Sequence, residues 1–199
     1  PLIPGIKQVL RNPQTWIVGM VGALLYLALP LFTEIWGVEY IAQATGASRK
    51  LASGAVSMLY GGWIVGGPLF GFFSDRMGSR RGFLQVGALL TTLWFSLIFS
   101  SVHTSIGFYY IFLLLAGLSS SAQVIAFIAA MELNPHHMRG TAMATVNMIV
   151  MVVGGLGQAL LGYVLDALSS HNPEGLPSVQ NYRLVLLSIP LAAFIGFVT

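Results

Sequence analysis

The chain has 199 residues, of which 56% are hydrophobic and 8% charged, whereas about 25% of the residues in an ordinary soluble domain are charged. Nine Lys and Arg, six Asp and Glu and no cysteine cannot cover the surface of a water-soluble globule of this size. The composition therefore excludes nucleic-acid-binding domains, disordered tails and disulfide-stapled secreted domains. It is typical of an integral membrane protein, in which the formal net charge of +3 bears on orientation.

Long stretches without charge predict six membrane-spanning helices. A bilayer core of about 30 Å needs about 20 apolar helical residues, and five charge-free stretches approach or exceed that length. The stretch Gly82–Met131 holds 50 residues, enough for two spans, with the polar run from Ser100 to Ser105 as the turn between them. Apolar residues also run on continuously, unlike the alternation of a membrane β-barrel. The expected spans are about 14–43, 50–74, 82–102, 106–132, 140–168 and 183–199.

The chain ends and the cations give a topology. Residues 1–13 are expected to form a cytoplasmic linker, residues 14–199 a six-helix domain, and the last span is expected to be truncated. Six cations flank the spans on the side of the chain ends and three lie on the other side. The positive-inside rule therefore predicts that both ends are cytoplasmic, and short loops without cysteine suit a bacterial inner membrane. The two sets are Lys7, Arg11, Arg76, Arg80, Arg81 and Arg139 against Arg49, Lys50 and Arg183.

A spaced pattern of Gly, Gly and Asp occurs twice. It consists of Gly66, Gly71 and Asp75 in span two and, 91 residues later, of Gly157, Gly162 and Asp166 in span five. These are the two aspartates of the chain, and three spans separate the copies, so one should face each side of the membrane. Inverted three-helix repeats are typical of secondary transporters. Close helix packing is the alternative explanation for the glycines.

Two short segments carry a family resemblance. The segment from Gly71 to Arg81, Gly-Phe-Phe-Ser-Asp-Arg-Met-Gly-Ser-Arg-Arg, resembles the loop signature Gly-x3-Asp-Arg-x-Gly-Arg-Arg/Lys of the major facilitator superfamily. The segment from Glu132 to Gly140 resembles the partner signature that follows the fourth and tenth helices of that family. The resemblance implies an all-α membrane fold of six helices arranged as two inverted three-helix repeats. The linker-like start favours the carboxy-terminal half of such a carrier, helices seven to twelve.

The resemblance also implies a set of gating residues. In the family, Asp75 would brace a helix of the other half when the carrier is closed to the cytoplasm, while Glu132 and Arg139 would take part in contacts with the loop arginines. The chain departs from the signature at Ser79, so Arg80 becomes the candidate partner of Glu132. Anchoring in the headgroup layer is the alternative for the loop cations. The expected gating residues are Gly71, Asp75, Arg76, Gly78, Arg80, Arg81, Glu132 and Arg139.

Polar and aromatic side chains near the middle of the spans are candidates for substrate contact. An unpaired polar group in hydrocarbon costs several kcal/mol, so each must contact a ligand, water or another helix. Tyr26, Pro30 and Glu34 share one face at four-residue spacing, Pro30 should kink the helix, and Glu34 suits proton coupling or a cationic group. The expected substrate-contacting residues are Tyr26, Glu34, Tyr60, Trp63, Gln123, Asn147 and Gln158.

Signatures of enzymes do not occur in the sequence. Glu132, His136 and His137 lack the i, i+4 histidine pair of a helical zinc site, and neither Gly-x4-Gly-Lys nor Gly-x-Ser-x-Gly is present. We therefore expect no catalytic residue, metal, cofactor or nucleic-acid partner. The resulting interpretation is half of a secondary active transporter that moves an amino acid, nucleoside, sugar or organic acid by alternating access, with or without proton coupling. Its partners would be the bilayer, a small-molecule substrate, and the amino-terminal six-helix half or a second copy. The alternative is a non-transporting receptor or scaffold on the same fold.

Overall fold

The computed structural model describes residues 2–100, 105–170 and 176–199. Within these ranges the chain forms helices and no β-strand, and six helices are long and apolar enough to cross a membrane. The expected all-α fold with six spans is confirmed, and a helix over Leu2–Arg11 precedes the first span. The spans, numbered one to six, are Pro13–Thr45, Arg49–Met77, Arg80–Ser100, Ile106–Glu132, His136–Ser169 and Val179–Val198. The expected turn from Ser100 to Ser105 lies partly outside the described residues.

Four of the spans contain an internal change of helix type or a break. The longest irregular piece is the π-helical segment Ala28–Trp36 of span one, which lies between the α-helices Pro13–Tyr26 and Gly37–Thr45. The other pieces are Ile106–Ser120, Ser121–Gln123 and Val124–Glu132 in span four, His136–Met138 and Arg139–Ser169 in span five, and Val179–Leu186 and Ser188–Val198 in span six.

The turn between spans two and three consists of Gly78 and Ser79. The expected spans, about 50–74 and 82–102, left seven residues between them, and the structure has two. Charged side chains at a helix end can extend into the headgroup layer, so Asp75 and Arg76 continue span two and do not end it. Gly78, at φ +62°, ends the helix in the left-handed conformation that glycine adopts without steric cost.

Side-chain caps fix where several spans begin. The caps are Asn12 before span one, Ser48 before span two and Ser178 before span six. The cap at Ser178 starts span six at Val179, earlier than the expected position of about 183, because the charge of Arg183 does not interrupt the helix. In the region expected to be a linker, Val9 is buried in a cluster with Ala142 and Val146 of span five.

The end of the helix bundle at which span one begins and span six ends is called the terminal end, and the opposite end is called the distal end. The terminal end holds the start of span one, the turn between spans two and three and the ends of spans four and six; there, Asn12 Nδ2 donates to Leu133 O at 3.0 Å. The distal end holds the opposite ends of the helices. Spans two and five run in opposite directions, so Asp75 lies at the terminal end and Asp166 near the distal end. This is the sidedness that an inverted repeat requires.

Glycines bring spans two and four into close contact. A Cβ atom added at Gly62 would collide with the backbone of Leu114, and one added at Gly117 would collide with the carbonyl group of Leu59. Toward the distal end the core between spans one, three and four is aromatic, since Phe32, Tyr40, Phe95, Phe99 and Tyr109 contact one another mostly edge to face. Close packing at small residues and contacts between aromatic rings thus stabilise the bundle in a membrane, where the hydrophobic effect does not drive helices together.

Candidate functional site

Arg80 connects three helix ends at the terminal end of the bundle. Its Nη1 donates to Asp75 Oδ1 at 2.5 Å and to Ser74 Oγ at 3.0 Å, both in the last turn of span two. Its Nη2 donates to Glu132 Oε1 at 2.7 Å and its Nε to Glu132 Oε2 at 3.1 Å, at the end of span four. The planar guanidinium allows this two-pronged contact, which fixes orientation as well as distance.

The Arg80 cluster, defined as Ser74, Asp75, Arg80 and Glu132, depends on the tight turn before it. Because Gly78 and Ser79 are the whole turn, Arg80 begins span three directly beside the end of span two. The side chains of Asp75 and Glu132 are 63% and 46% exposed, so water weakens these ion pairs. The cluster therefore fixes how these helix ends meet and adds a modest stabilisation.

The other expected gating residues lie around this cluster: Gly78 forms the turn before it, and Arg139 is within electrostatic range of Glu132. Arg76, Arg81 and Arg139 make no ion pair with any residue that the structure describes. A Cβ atom added at Gly71 would meet no other atom within 4 Å, so this position of span two faces open space. The structure thus brings together Asp75, Arg80 and Glu132 from the expected set and leaves Gly71, Arg76 and Arg81 outside the Arg80 cluster.

A second group of polar side chains, separate from the Arg80 cluster, lies at the middle of span one. Pro30 lies within the π-helical segment Ala28–Trp36, where the regular helical hydrogen bonding is interrupted. Gln158 of span five donates from Nε2 to the carbonyl oxygen of Pro30 at 3.2 Å, and the same atom lies 3.4 Å from Glu34 Oε2. An amide from another helix therefore supports both the irregular backbone and the carboxylate.

Two tyrosines complete what we call the Glu34 cluster, which consists of Tyr26, Glu34, Tyr60 and Gln158. The hydroxyls of Tyr26 and Tyr60 lie within electrostatic range of the Glu34 carboxylate. A Cβ added at Gly154 would lie 3.5 Å from the ring of Tyr26 and 3.6 Å from Pro30 Cγ, which are ordinary van der Waals distances, so span five packs directly against this part of span one. Spans one, two and five thus place a carboxylate, an amide and two phenols together.

The three remaining substrate candidates differ in how they lie relative to the Glu34 cluster. Asn147 is exposed on span five, eleven residues before Gln158 and thus on the same helical face. Trp63 lies about one turn after Tyr60 and is half-buried, and its Nε1 is buried without a hydrogen-bond partner among the described residues. Gln123 is 2% exposed and belongs to the interior near Gly22, so the structure does not bring it into the Glu34 cluster.

Sequence reasoning missed a polar network beside the Arg80 cluster. The buried Asn134 donates from Nδ2 to Thr15 Oγ1 at 2.9 Å and to Ala130 O at 2.8 Å, which joins the start of span one to the end of span four. Ser74, which accepts from Arg80, was missed as well. The available signal was their position: Thr15 and Ser74 lie near the ends of charge-free stretches and Asn134 lies two residues after Glu132, where a buried uncharged polar group needs a partner.

Comparison with known proteins identifies the class. Residues 14–199 match the family model described as Major Facilitator Superfamily, and the chain belongs to this family. It is a multi-pass membrane protein. The curated relative "Membrane sensor protein UhpC" of Escherichia coli (strain K12) is 27% identical over 167 residues, which are 80% of this chain and 37% of that protein.

Solved structures of the xylose transporter XylE from E. coli share the fold. The inward open conformation has a TM-score of 0.71 at 20% identity and covers 92% of this chain and 46% of that chain. The partially occluded inward open conformation has a TM-score of 0.68 at 18% identity, with coverages of 93% and 48%. The chain therefore spans less than half the length of these relatives.

Proposed function

We propose that the chain is the carboxy-terminal six-helix half of a secondary transporter that moves a small polar metabolite by alternating access. The Glu34 cluster is the observation that carries this proposal. It places an amide against a carboxylate, with two phenols within electrostatic range, where span one departs from a regular α-helix. Irregular backbone at membrane depth is tolerated only where it is buried in protein or lines a cavity.

The exposed side of the cluster supports a second half as partner. Glu34 is exposed and Tyr60 is 42% exposed in the six-helix bundle. An ionisable side chain in a span faces the bundle interior or a water-filled cavity because contact with lipid is costly. We infer that the surface with Glu34, Tyr60, Asn147 and Gln158 faces such a cavity, covered on the other side by the amino-terminal half or a second copy.

The chemistry of the cluster favours certain substrates. A carboxylate accepts hydrogen bonds, an amide donates and accepts, and phenols can do both, so substrates with hydroxyl or amine donors fit best. An organic acid without an amine would bring only negative charge toward Glu34, and like charges in such a site repel, whereas an amino acid can present its ammonium group to the carboxylate. Among the expected substrates we therefore favour an amino acid, a nucleoside or a sugar, and we keep proton exchange at Glu34 as the coupling hypothesis.

The Arg80 cluster supports the conformational part of the proposal. It ties the ends of spans two, three and four together, so these helices would move as one body during alternating access. Asp75 is 63% exposed and can contact a helix of the other half in one state of the cycle. Because six of the nine cations flank the terminal end, we propose that this end faces the cytoplasm, in a bacterial inner membrane.

Uptake by the full-length protein in proteoliposomes tests the proposed site. We expect Glu34→Gln to lower the uptake rate of the transported metabolite at least about tenfold, equivalent to about 1.4 kcal/mol. Glu39→Gln is the matched control, since the same change is made five residues away in a carboxylate that pairs with Arg49 at 3.4 Å at the distal end; its uptake should stay within about twofold. Equal rates for the two variants would remove the Glu34 cluster from the transport path.

A sensor is the second candidate function. The curated relative named above is called a membrane sensor protein, and it matches 80% of this chain. A sensor would bind its ligand at the Glu34 cluster without net flux across the membrane. The same proteoliposomes decide between the two: saturable binding without counterflow supports the sensor, and counterflow of labelled substrate supports the transporter.

A further inference from the structure

A cavity of about 440 Å³ opens at the terminal end between spans one, three, four and six. Its volume falls within the range of small-molecule sites in proteins. None of the four residues of the Glu34 cluster lines it, so it is separate from the proposed substrate site.

The cavity has a polar part and an apolar part. Gln14 lies at the start of span one, and Arg80 and Arg81 are the first residues of span three, so polar groups line the cavity at the level of the helix ends. Val18 and Leu84 lie about one turn farther into the bundle and line its apolar part, beside Gln85, whose Nε2 donates to Phe197 O at 3.4 Å. A ligand that fits both parts has a polar head and a hydrocarbon tail.

The charges around the cavity favour an anionic head. Arg80 pairs with Asp75 and with Glu132, and Glu132 also lines the cavity. These three side chains carry one positive and two negative charges, so the lining cation left for a ligand is Arg81. Arg81 is exposed and pairs with no described carboxylate. In the described chain the terminal end carries six cations and two carboxylates, a balance of 6 − 2 = +4, and such a field attracts anions.

We propose that this cavity binds an anionic glycerophospholipid of the surrounding bilayer. Its phosphate contacts Arg81 beside Gln14, and part of one acyl chain occupies the space beside Val18 and Leu84. Basic pockets between helix ends at the membrane surface are suited to lipid head groups, and the apolar part favours a lipid over a soluble phosphate ester because water would otherwise cover those side chains. This binding does not depend on transport.

Native mass spectrometry of the delipidated full-length protein tests the proposal. Dioctanoyl phosphatidylglycerol should bind at least about fivefold more tightly than dioctanoyl phosphatidylcholine, and glycerol 3-phosphate should not compete. Equal affinities for the two lipids would overturn the proposal. Competition by glycerol phosphate would also overturn it by indicating a site for soluble anions. No lipid binding would overturn it as well.

Two variants with one control locate the binding. Arg81→Gln should weaken phosphatidylglycerol binding about fivefold, whereas Arg76→Gln, which removes an exposed arginine at the same end outside the cavity lining, should change it less than about twofold. Ile17→Trp, at a cavity-lining position that is 40% exposed and can accept a larger side chain, should weaken both lipids. Equal losses for the two arginine variants, or unchanged binding by Ile17→Trp, would contradict a defined site.

Discussion

At the scale of single residues, Arg80 shows how one side chain can organise three helix ends. Its guanidinium reaches Ser74 and Asp75 in span two and both oxygens of Glu132 in span four. A lysine carries the same charge as a point on a flexible stem and cannot form the two-pronged contact. The guanidinium group of Arg80, and not its charge alone, therefore determines how the ends of spans two, three and four meet.

Replacement of this arginine by lysine is the first prediction. We expect Arg80→Lys to lower the free energy of unfolding by about 1–2 kcal/mol, because charge-assisted hydrogen bonds are lost at a partly exposed site. Arg81→Lys is the matched control, since Arg81 is the next residue and has no described ion pair. This variant should be neutral within about 0.5 kcal/mol. Denaturation of the full-length protein in bicelles measures both, and equal stabilities for the two variants would refute a structural role of Arg80.

The residues of the candidate site were predictable in part. Tyr26, Glu34 and Gln158 were expected from their position and helical spacing, and the structure brings them together because a polar group in a span needs a partner. Gln123 satisfied the same criteria but is buried near Gly22 in the interior. Spacing along one helix gives a common face and does not tell which neighbouring helix covers that face.

At the scale of helices, glycine positions determine how closely spans two and four approach. An added Cβ at Gly117 would collide with the carbonyl group of Leu59, which belongs to the backbone and has little freedom to move. At Gly61, on the other side of the same interface, an added Cβ would lie 3.8 Å from Leu114 Cδ1, an ordinary van der Waals distance. The two glycines thus share an interface but tolerate a methyl group differently.

This difference gives the second prediction of stability. Gly117→Ala should destabilise the full-length protein by about 1–3 kcal/mol, because overpacking separates the two helices. Gly61→Ala should be neutral or slightly stabilising, since alanine favours the helix by about 1 kcal/mol over glycine. Thermal unfolding followed by circular dichroism compares them. If both variants melt at the same temperature, spans two and four do not pack as described.

Helix boundaries show what sequence patterns cannot give. Six spans were predicted because bilayer thickness dictates the length of apolar helix. The two-residue turn at Gly78 and Ser79 was missed because a count of charge-free residues stops at Asp75, although the backbone continues its helix to Met77. A kink was expected at Pro30; the structure has a π-helical segment there, and Gln158 of span five donates to the carbonyl oxygen of Pro30.

At the scale of the whole molecule, the exposed surface of the bundle has two kinds of environment. Span three packs against spans four and six and contributes nothing to the Glu34 cluster, so its outer side faces lipid in our account. Spans two and five are the least buried of the six described spans, and they carry Tyr60 and Gln158 of the Glu34 cluster. The central claim is that this second surface lines an aqueous cavity and does not contact lipid.

Cysteine accessibility tests that claim most directly, because the chain has no cysteine of its own. Tyr60→Cys and Leu93→Cys, at positions 42% and 46% exposed, would be introduced singly into the full-length protein without other cysteines and treated with a charged, membrane-impermeant thiol reagent in inside-out and right-side-out vesicles. We predict that Tyr60→Cys reacts from at least one side and that Leu93→Cys in span three reacts from neither. Equal protection of both cysteines in both vesicle orientations would show that the Glu34 cluster faces lipid or sealed protein and would contradict the proposed transport path.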